Sequence, residues 1–243
     1  MRTRWKELRR SIRWTTNRQT VKDMKPKRQT NWRNYNSKEK ELIEAINIDG
    51  FTCLDIGFNY GWWSYLFLNY IGKKGKVYAW EPNKLLYDDI LAKWPFSNLT
   101  GYNYALSDKT GLQDYHVYGW SGRMAGMNSL EKRKERQEKI IEVQKVPTKK
   151  LDTWWAENKK PKIDFIKIDC EHHDYKVLFG GKEMIESTKP KFIVIEQKNQ
   201  NISDFMIERN YTTDHDYNDI DIDDSIWRLQ ITNNQTHNRK SIR

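Results

Sequence analysis

The residues best suited to chemistry lie around a glycine-bearing turn. The segment LDIGFNYG, residues 54–61, closes an apolar run and precedes a helical pattern. Gly57 and Gly61 allow the backbone to turn sharply and to approach a ligand, and the following helix offers free N–H groups. The spacing differs from the G-x-G-x-x-G fingerprint of dinucleotide sites. It suits the carboxylate of an amino-acid moiety, with Asp55 holding the ammonium group directly or through water.

A second acidic residue stands where the next apolar run ends. Glu81 follows KVYAW, and a carboxylate in that position can accept hydrogen bonds from both hydroxyls of a ribose. The turn and the acidic strand end together predict a nucleotide-like ligand more specifically than either feature alone. The alternative is a tight strand-helix turn with Glu81 as a surface cap.

The elements that must position these residues alternate between strand and helix. Short apolar runs followed by turns predict strands, and apolar residues at helical spacing predict helices between them. Such units imply an α/β fold in which a parallel sheet is covered on both faces and binds ligands at the carboxyl ends of its strands. The predicted strands are FTCLDIG, KVYAWEP, NLTGYNYAL, IDFIKIDC, KFIVIEQ and SIWRLQIT.

Two segments depart from this alternation. Residues 112–147 begin with an aromatic, glycine-rich stretch and end with a strand-like one, and a charged run at 132–139 lies between them. We therefore predict an inserted β-hairpin with a charged connection. Gly180 and Gly181 are expected to interrupt the helix that begins near Asp174.

The excess positive charge is confined to one end of the chain. The 243 residues carry a net charge of +10, and residues 1–36 alone hold 12 Lys and Arg against 2 acidic residues. That segment contains tryptophans and few aliphatic residues, a composition that cannot build a core. We predict a basic Arg/Trp-rich extension over residues 1–36 and one folded domain over residues 37–243. Cations among aromatics suit nucleic acid, whereas the alternative is an arm that docks on its own domain.

Composition also indicates the cellular setting. Only 37% of the residues are apolar, below the usual ~45–50%, and no run approaches the roughly 20 apolar residues of a membrane span. No apolar stretch follows the charged first residues, so a secretory leader is not expected. Two cysteines cannot make a disulfide framework. We expect a soluble protein of the cytoplasm.

The motifs of the chain, taken in order, resemble the FkbM-like family of S-adenosylmethionine-dependent methyltransferases. The resemblance implies a Rossmann-like class I methyltransferase fold, with a mixed, mostly parallel seven-stranded sheet and helices on both faces. It also implies methyl transfer from S-adenosylmethionine to a hydroxyl, often on a sugar or a glycosylated natural product. The matching segments are LDIGFNYG, WEPN, ALSDKTG, VPTKKLDTW, IDFIKIDCEHHDYKVLFGG and FIVIEQ.

Carried over by position, the resemblance implies a cofactor site in residues 37–243. Glu81 would bind the ribose, and Ala105 and Leu106 would flank the adenine. One departure from the family pattern follows the fourth strand, where His172 stands in place of the customary glycine and affects the local backbone conformation. The residues implied to line the methionine part of the cofactor are Asp55, Gly57, Asn59 and Gly61.

Methyl transfer to a hydroxyl needs a well-placed acceptor and a group that takes its proton. Asp169 and Glu171 end the fourth strand beside the implied cofactor pocket, and His172 and His173 follow. We predict Asp169, Glu171 and His173 as catalytic residues, with His173 as the base and a carboxylate orienting its ring. The alternative is that the histidines cap the following helix.

A divalent metal is a further alternative at this corner. Some sugar O-methyltransferases use such an ion to clamp two substrate hydroxyls and to lower their pKa. Carboxylates at strand ends serve equally well as acceptors for the cofactor amine and the substrate, so we predict no metal. The residues that could converge on an ion are Asp169, Glu171, His172, His173, Asp174 and Glu196.

The leading prediction is an O-methyltransferase that acts on a sugar or glycan hydroxyl. The alternative is an RNA ribose or cap 2′-O-methyltransferase that binds nucleic acid through residues 1–36. A third class is a binding module that keeps the fold without turnover. The catalytic tetrad of the RNA alternative would have to come from Lys167, Asp169, Lys176 and Glu196.

Overall fold

A computed structural model describes residues 32–119, 126–132, 139–213 and 224–230, with side chains from residue 38 onward. These ranges contain ten strands in two sheets. The strands are β1 (Thr52–Ile56), β2 (Lys76–Trp80), β3 (Leu99–Tyr102), β4 (Ala105–Leu106), β5 (Gly111–Val117), β6 (Glu142–Lys149), β7 (Phe165–Ile168), β8 (Phe192–Ile195), β9 (Tyr211–Thr213) and β10 (Ser225–Leu229).

The larger sheet has seven strands in the order β3-β2-β1-β7-β8-β10-β9. All neighbouring pairs from β3 to β8 are parallel, whereas β10 is antiparallel to both β8 and β9. The strand order reverses direction at β1, where β2 lies on one side and β7 on the other. Open α/β sheets bind ligands at such a point, beyond the carboxyl ends of the strands. The predicted Rossmann-like class I methyltransferase fold is confirmed.

Helices cover both faces of this sheet, because successive side chains of the buried strands point to opposite sides. In β7, Phe165 packs with residues of α1 and α2 on one face, whereas Ile166 packs with residues of α4 to α7 on the other. The described helices are α1 (Trp32–Ile46), α2 (Trp62–Tyr70), α3 (Lys84–Asp89), α4 (Leu151–Glu157), α5 (Asp174–Gly180), α6 (Lys182–Thr188) and α7 (Gln200–Ile207).

The smaller sheet contains the inserted hairpin. Strands β5 and β6 are antiparallel, as predicted, and β4 pairs with β6 in parallel. The single strand predicted from NLTGYNYAL is wrong, since β3 ends at Tyr102 and β4 belongs to the second sheet. The amide of Asn103 donates to the carbonyl oxygens of Glu81 and Pro82 at 2.8 and 3.3 Å, and the chain turns there from one sheet to the other.

Two sequence predictions concern helix boundaries. Helix α5 ends at Gly180, as predicted. The chain needs a glycine at this position, because a Cβ on Gly180 would lie 2.1 Å from the carbonyl oxygen of Ser107. Helix α1 begins at Trp32, inside the predicted 1–36 extension. Residues 1–31 and most of the charged run at 132–139 lie outside the described residues. No helix within the described ranges has the length and apolarity needed to span a bilayer.

Burial of one acidic side chain on α1 generates a prediction. Glu39 is 1% exposed, and burial raises its pKa from 4.5 to about 7, with Asp224 adding to the shift. Between those pH values the folded protein holds a proton that the unfolded chain has lost, so the free energy of unfolding falls as pH rises. We expect Glu39→Gln to remove this fall in the free energy of unfolding, because glutamine does not ionise.

The measurement is chemical denaturation at about pH 5 and pH 8. The variant should exceed the wild type in free energy of unfolding by on the order of 3 kcal/mol at the higher pH, since one pKa unit corresponds to about 1.4 kcal/mol, and by much less at the lower pH. Glu41→Gln, on the exposed side of the same helix, is the control and should change neither value. An equal gain at both pH values would contradict the argument.

Candidate active site

The turn after β1 is built from left-handed residues. Gly57, Asn59 and Gly61 have φ angles of 87°, 50° and 84°, and glycine and asparagine are the residues that adopt this region most readily. A Cβ on Gly57 would also lie 1.9 Å from the carbonyl oxygen of Asp169. The D-x-G-x-N-x-G spacing therefore records a backbone path that brings the end of β1 against the end of β7.

Glu81 anchors the same turn from the end of β2. Its two carboxylate oxygens accept hydrogen bonds from the backbone N–H groups of Asn59 and Asn83, both at 2.7 Å. Burial raises the pKa of Glu81 to about 7, although these hydrogen bonds lower it in part. Each oxygen keeps a further lone pair, so the side chain can still accept hydrogen bonds from a ligand.

One cleft brings together eight of the ten predicted site residues. The cleft lies at the carboxyl ends of β1, β2 and β7 and is lined by both polar and apolar residues. Strand β5 contributes Tyr115, and the connection from β5 to β6 contributes Asn128 and Ser129, which the sequence did not indicate. The predicted residues that line the cleft are Gly57, Asn59, Glu81, Ala105, Leu106, Asp169, Glu171 and His173.

Asp55 and Gly61 are the two predicted residues outside the lining. The carboxylate of Asp55 is fully buried and accepts hydrogen bonds from the N–H and hydroxyl of Ser64 at 2.9 and 2.6 Å. This side chain therefore lies beneath the cleft and holds the start of α2, and the predicted contact between Asp55 and a ligand ammonium, direct or through water, stays a prediction. Gly61 precedes α2 and shapes the turn.

Lys167 lies beside Asp55, and its position between the strand ends was not predicted from the sequence. Its ammonium group donates to the carbonyl oxygen of Gly57 at 2.8 Å and lies 3.4 Å from carboxylate oxygens of both Asp55 and Asp169. Burial alone would lower the pKa of Lys167, but these two carboxylates outweigh it and raise that pKa. A lysine inside the apolar strand FIKI was the available signal.

Three carboxyl groups meet where β7 and β8 end. Carboxylate oxygens of Asp169, Glu171 and Glu196 lie within 4.8 Å of one another. Burial and the neighbouring Asp169 raise the pKa of Glu196 well above its usual range. The oxygens could bind a hard divalent cation, yet the ammonium of Lys167, 3.4 Å from Asp169, already compensates part of their negative charge. The prediction that no metal is used stays a prediction.

His173 borders the cleft with both ring nitrogens engaged. Nδ1 lies 2.8 Å from a carboxylate oxygen of Glu131, and Nε2 lies 3.0 Å from the hydroxyl of Ser107. Hydrogen bonds from His173 and Lys176 lower the pKa of Glu131 to about 2. Because neither nitrogen is left to face an acceptor, this geometry favours a positioning role for His173 over the predicted role of base.

His172, the residue before His173, adopts a backbone conformation that favours glycine. His172 has φ 76° and Glu171 has φ 53°, so two consecutive residues with side chains occupy the left-handed region. Glycine adopts this region most readily, so a side chain at position 172 carries a cost in strain. Such strain is often concentrated at functional sites.

Comparison with known proteins identifies the family of this chain. Residues 55–220 match the profile of the methyltransferase FkbM domain, which is more than half of the chain. The chain belongs to the FkbM methyltransferase family. Its FkbM domain contains the turn after β1, the end of β2 and all three carboxyl groups of the cleft.

One curated relative and two solved structures illustrate the similarity. The chain is 27% identical to the 2-O-methyltransferase NoeI of Sinorhizobium fredii (strain NBRC 101917 / NGR234) over 172 residues, which cover 67% of this chain and 70% of that protein. Methyltransferase FkbM from Methylobacillus flagellatus KT gives a TM-score of 0.49 at 13% identity, covering 74% of this chain and 43% of that chain. A SAM dependent methyltransferase from Aquifex aeolicus gives 0.38 at 14% identity, covering 74% and 81%.

The strained loop generates a prediction about stability. His172 is exposed, so replacing it removes no buried contact, whereas a left-handed conformation costs a residue with a Cβ about 1–2 kcal/mol. We expect His172→Gly to raise the free energy of unfolding by roughly 1 kcal/mol, after allowance for the added freedom of the unfolded chain. Denaturant titration measures the change. His172→Ala keeps the Cβ and serves as the control, and an equal gain from it would contradict the strain argument.

Proposed function

We propose that this FkbM family member is an S-adenosylmethionine-dependent O-methyltransferase whose acceptor is a hydroxyl of a sugar or glycan. The observation that carries the proposal is the single cleft in which the turn after β1 and Glu81 face Asp169 and Glu171. The family membership and a relative named as a 2-O-methyltransferase support it. Asp55 and Gly61 do not line the cleft but support the turn after β1 and the start of α2.

The cleft has donor and acceptor groups that fit this cofactor. The Oδ1 atom of Asn59 is buried and has no hydrogen-bond partner among the described residues, so it can accept a hydrogen bond from the cofactor ammonium. Glu81 would accept from the ribose hydroxyls, and Ala105 and Leu106 would flank the adenine. When bound, S-adenosylmethionine supplies an electrophilic methyl group on its sulfonium.

The carboxyl groups at the ends of β7 and β8 would orient the acceptor. Asp169 lies beside the buried ammonium of Lys167, and Glu171 lines the same cleft. The acceptor hydroxyl would lose its proton to a carboxylate oxygen of Asp169 or Glu171 while its oxygen takes the methyl group, whose bond to the sulfonium would break and leave S-adenosylhomocysteine. Placement of the hydroxyl accounts for most of the rate, and proton acceptance adds to it.

The charge around the cleft favours a polyhydroxyl acceptor over RNA. No lysine or arginine is found among the described residues that line it, whereas Asp169 and Glu171 do line it and a carboxylate oxygen of Glu196 lies within 4.8 Å of theirs. Hydroxyls donate hydrogen bonds to carboxylates, but phosphates are repelled by them. The tetrad of the RNA alternative is not assembled in the cleft, because Lys176 binds Glu131 at 2.7 Å and Lys167 is buried.

Labelled S-adenosylmethionine with panels of glycans and RNAs tests the acceptor class. We expect methyl transfer to a glycan hydroxyl, and equal transfer when EDTA removes divalent ions. Transfer to RNA without transfer to any glycan would overturn the acceptor class and would restore the predicted role of residues 1–36. Calorimetric binding of the cofactor without turnover on either panel would indicate the binding module.

Two substitutions should separate cofactor binding from turnover. Glu81→Gln removes an acceptor for ribose hydroxyls, and we expect cofactor Kd to rise about tenfold, the loss of a hydrogen bond to a charged group. Asp169→Asn should lower kcat about 100-fold, typical of a lost proton acceptor, with cofactor Kd within threefold. Calorimetry and initial rates measure the two quantities. Asp114→Asn, on an exposed pair with Lys145, is the control, and a reversed pattern would refute the assignment.

A further inference from the structure

One buried side chain joins the two loops that carry the carboxyl groups of the cleft. Asp174 is the first residue of α5 and is fully buried. Its Oδ1 atom accepts a hydrogen bond from the backbone N–H of Cys170 at 2.8 Å, and its Oδ2 atom accepts one from the backbone N–H of Gln197 at 3.0 Å. Cys170 follows β7 and Gln197 follows β8, so the side chain bridges two strand ends.

The bridge begins where the hydrogen bonds of the sheet end. Ile168 and Ile195 are paired at the last register position of β7 and β8, and the N–H of Glu196 makes the final bond across the two strands, to the carbonyl oxygen of Ile168 at 3.1 Å. Beyond this point the sheet no longer fixes the distance between the chains. The next amide on the β8 side, that of Gln197, points to Asp174 instead.

The bridged amides are direct neighbours of the acidic residues. Asp169 and Glu171 flank Cys170, and Glu196 precedes Gln197. These three carboxyl groups repel one another when ionised, and the left-handed backbone at Glu171 adds strain. Both effects act to separate the two loops. Asp174 opposes them with two hydrogen bonds from a site that is shielded from water, where such bonds are strongest.

We infer that Asp174 is a positioning residue that sets the spacing of Asp169, Glu171 and Glu196. Its side chain does not line the cleft, so it acts through the two loops and touches neither cofactor nor acceptor. The inference rests on the proposed function, because the activity that depends on this spacing is the proposed methyl transfer. The bridge itself also has a readout that needs no activity.

The test compares two isosteric substitutions. Asp174→Asn replaces one accepting oxygen by an NH₂ group that faces a backbone N–H, so one loop must move. Asp152→Asn is the matched control, because Asp152 also accepts two backbone N–H groups, from Glu183 and Met184 at 3.1 and 2.8 Å, at the start of α6 and away from the cleft. Each variant places an NH₂ group opposite one of two backbone N–H groups.

We expect Asp174→Asn to lower kcat at least tenfold while cofactor Kd, measured by calorimetry, stays within twofold. Asp152→Asn should lower Tm in a similar way and leave kcat unchanged. Equal kcat losses in both variants, or a kcat loss matched by an equal rise in cofactor Kd, would show a general loss of structure and would overturn the inference. So would an unchanged kcat in Asp174→Asn.

Amide hydrogen exchange gives the independent readout. The N–H groups of Cys170 and Gln197 should both be protected in the wild type. At least one of them should lose that protection in Asp174→Asn, and neither should lose it in Asp152→Asn. Fast exchange of either amide in the wild type overturns the bridge even if the variant fails to fold. If no acceptor is methylated but both amides behave as expected, the proposed function fails and the bridge stands.

Discussion

The described structure depends on one buried cation in the centre of the larger sheet. Lys167 has 3% of its side chain exposed and lies between two carboxylates, with the Gly57 carbonyl oxygen as a third partner. Removing one member of a buried ion pair leaves a charge without compensation, at a cost of about 3–5 kcal/mol. This ammonium group therefore fixes the turn after β1, the loop after β7 and the depth of Asp55 in a single arrangement. The cleft above it takes its shape from that arrangement.

Segments from distant parts of the chain hold the corner around Glu171. The hydroxyl of Ser129, from the segment after β5, lies 2.7 Å from the carbonyl oxygen of Glu171, and Ser107, which follows β4, contacts His173. The inserted hairpin is therefore more than a covering element, because it supplies partners for the backbone of the loop after β7. A strained loop with several such partners keeps one conformation, as the proposed placement of an acceptor hydroxyl would require.

The order of the elements and most of the residues that line the cleft could be predicted, because both rest on local patterns. Apolar runs identify buried strands, and the spacing from Asp55 to Gly61 follows from left-handed backbone at Gly57 and Asn59. The partners of single side chains could not be predicted in this way. Whether Asp55 faces a ligand or Lys167, and whether His173 keeps a free nitrogen, depends on residues such as Glu131 and Ser107 that are far away in sequence. The division of NLTGYNYAL between two sheets likewise depends on long-range pairing.

That pairing has a consequence for how the molecule assembles. Strand β4 consists of Ala105 and Leu106, and its ladder partners, Thr148 and Lys149, lie more than forty residues further along the chain. A two-residue strand has no stability of its own, so this wall of the cleft forms only when the long loop between β4 and β6 closes. Local unfolding of the small sheet would dismantle the wall while the large sheet persists. A molecule that binds the completed wall stabilises the small sheet against this opening by mass action. The stability of the small sheet therefore depends on whether the cleft is occupied.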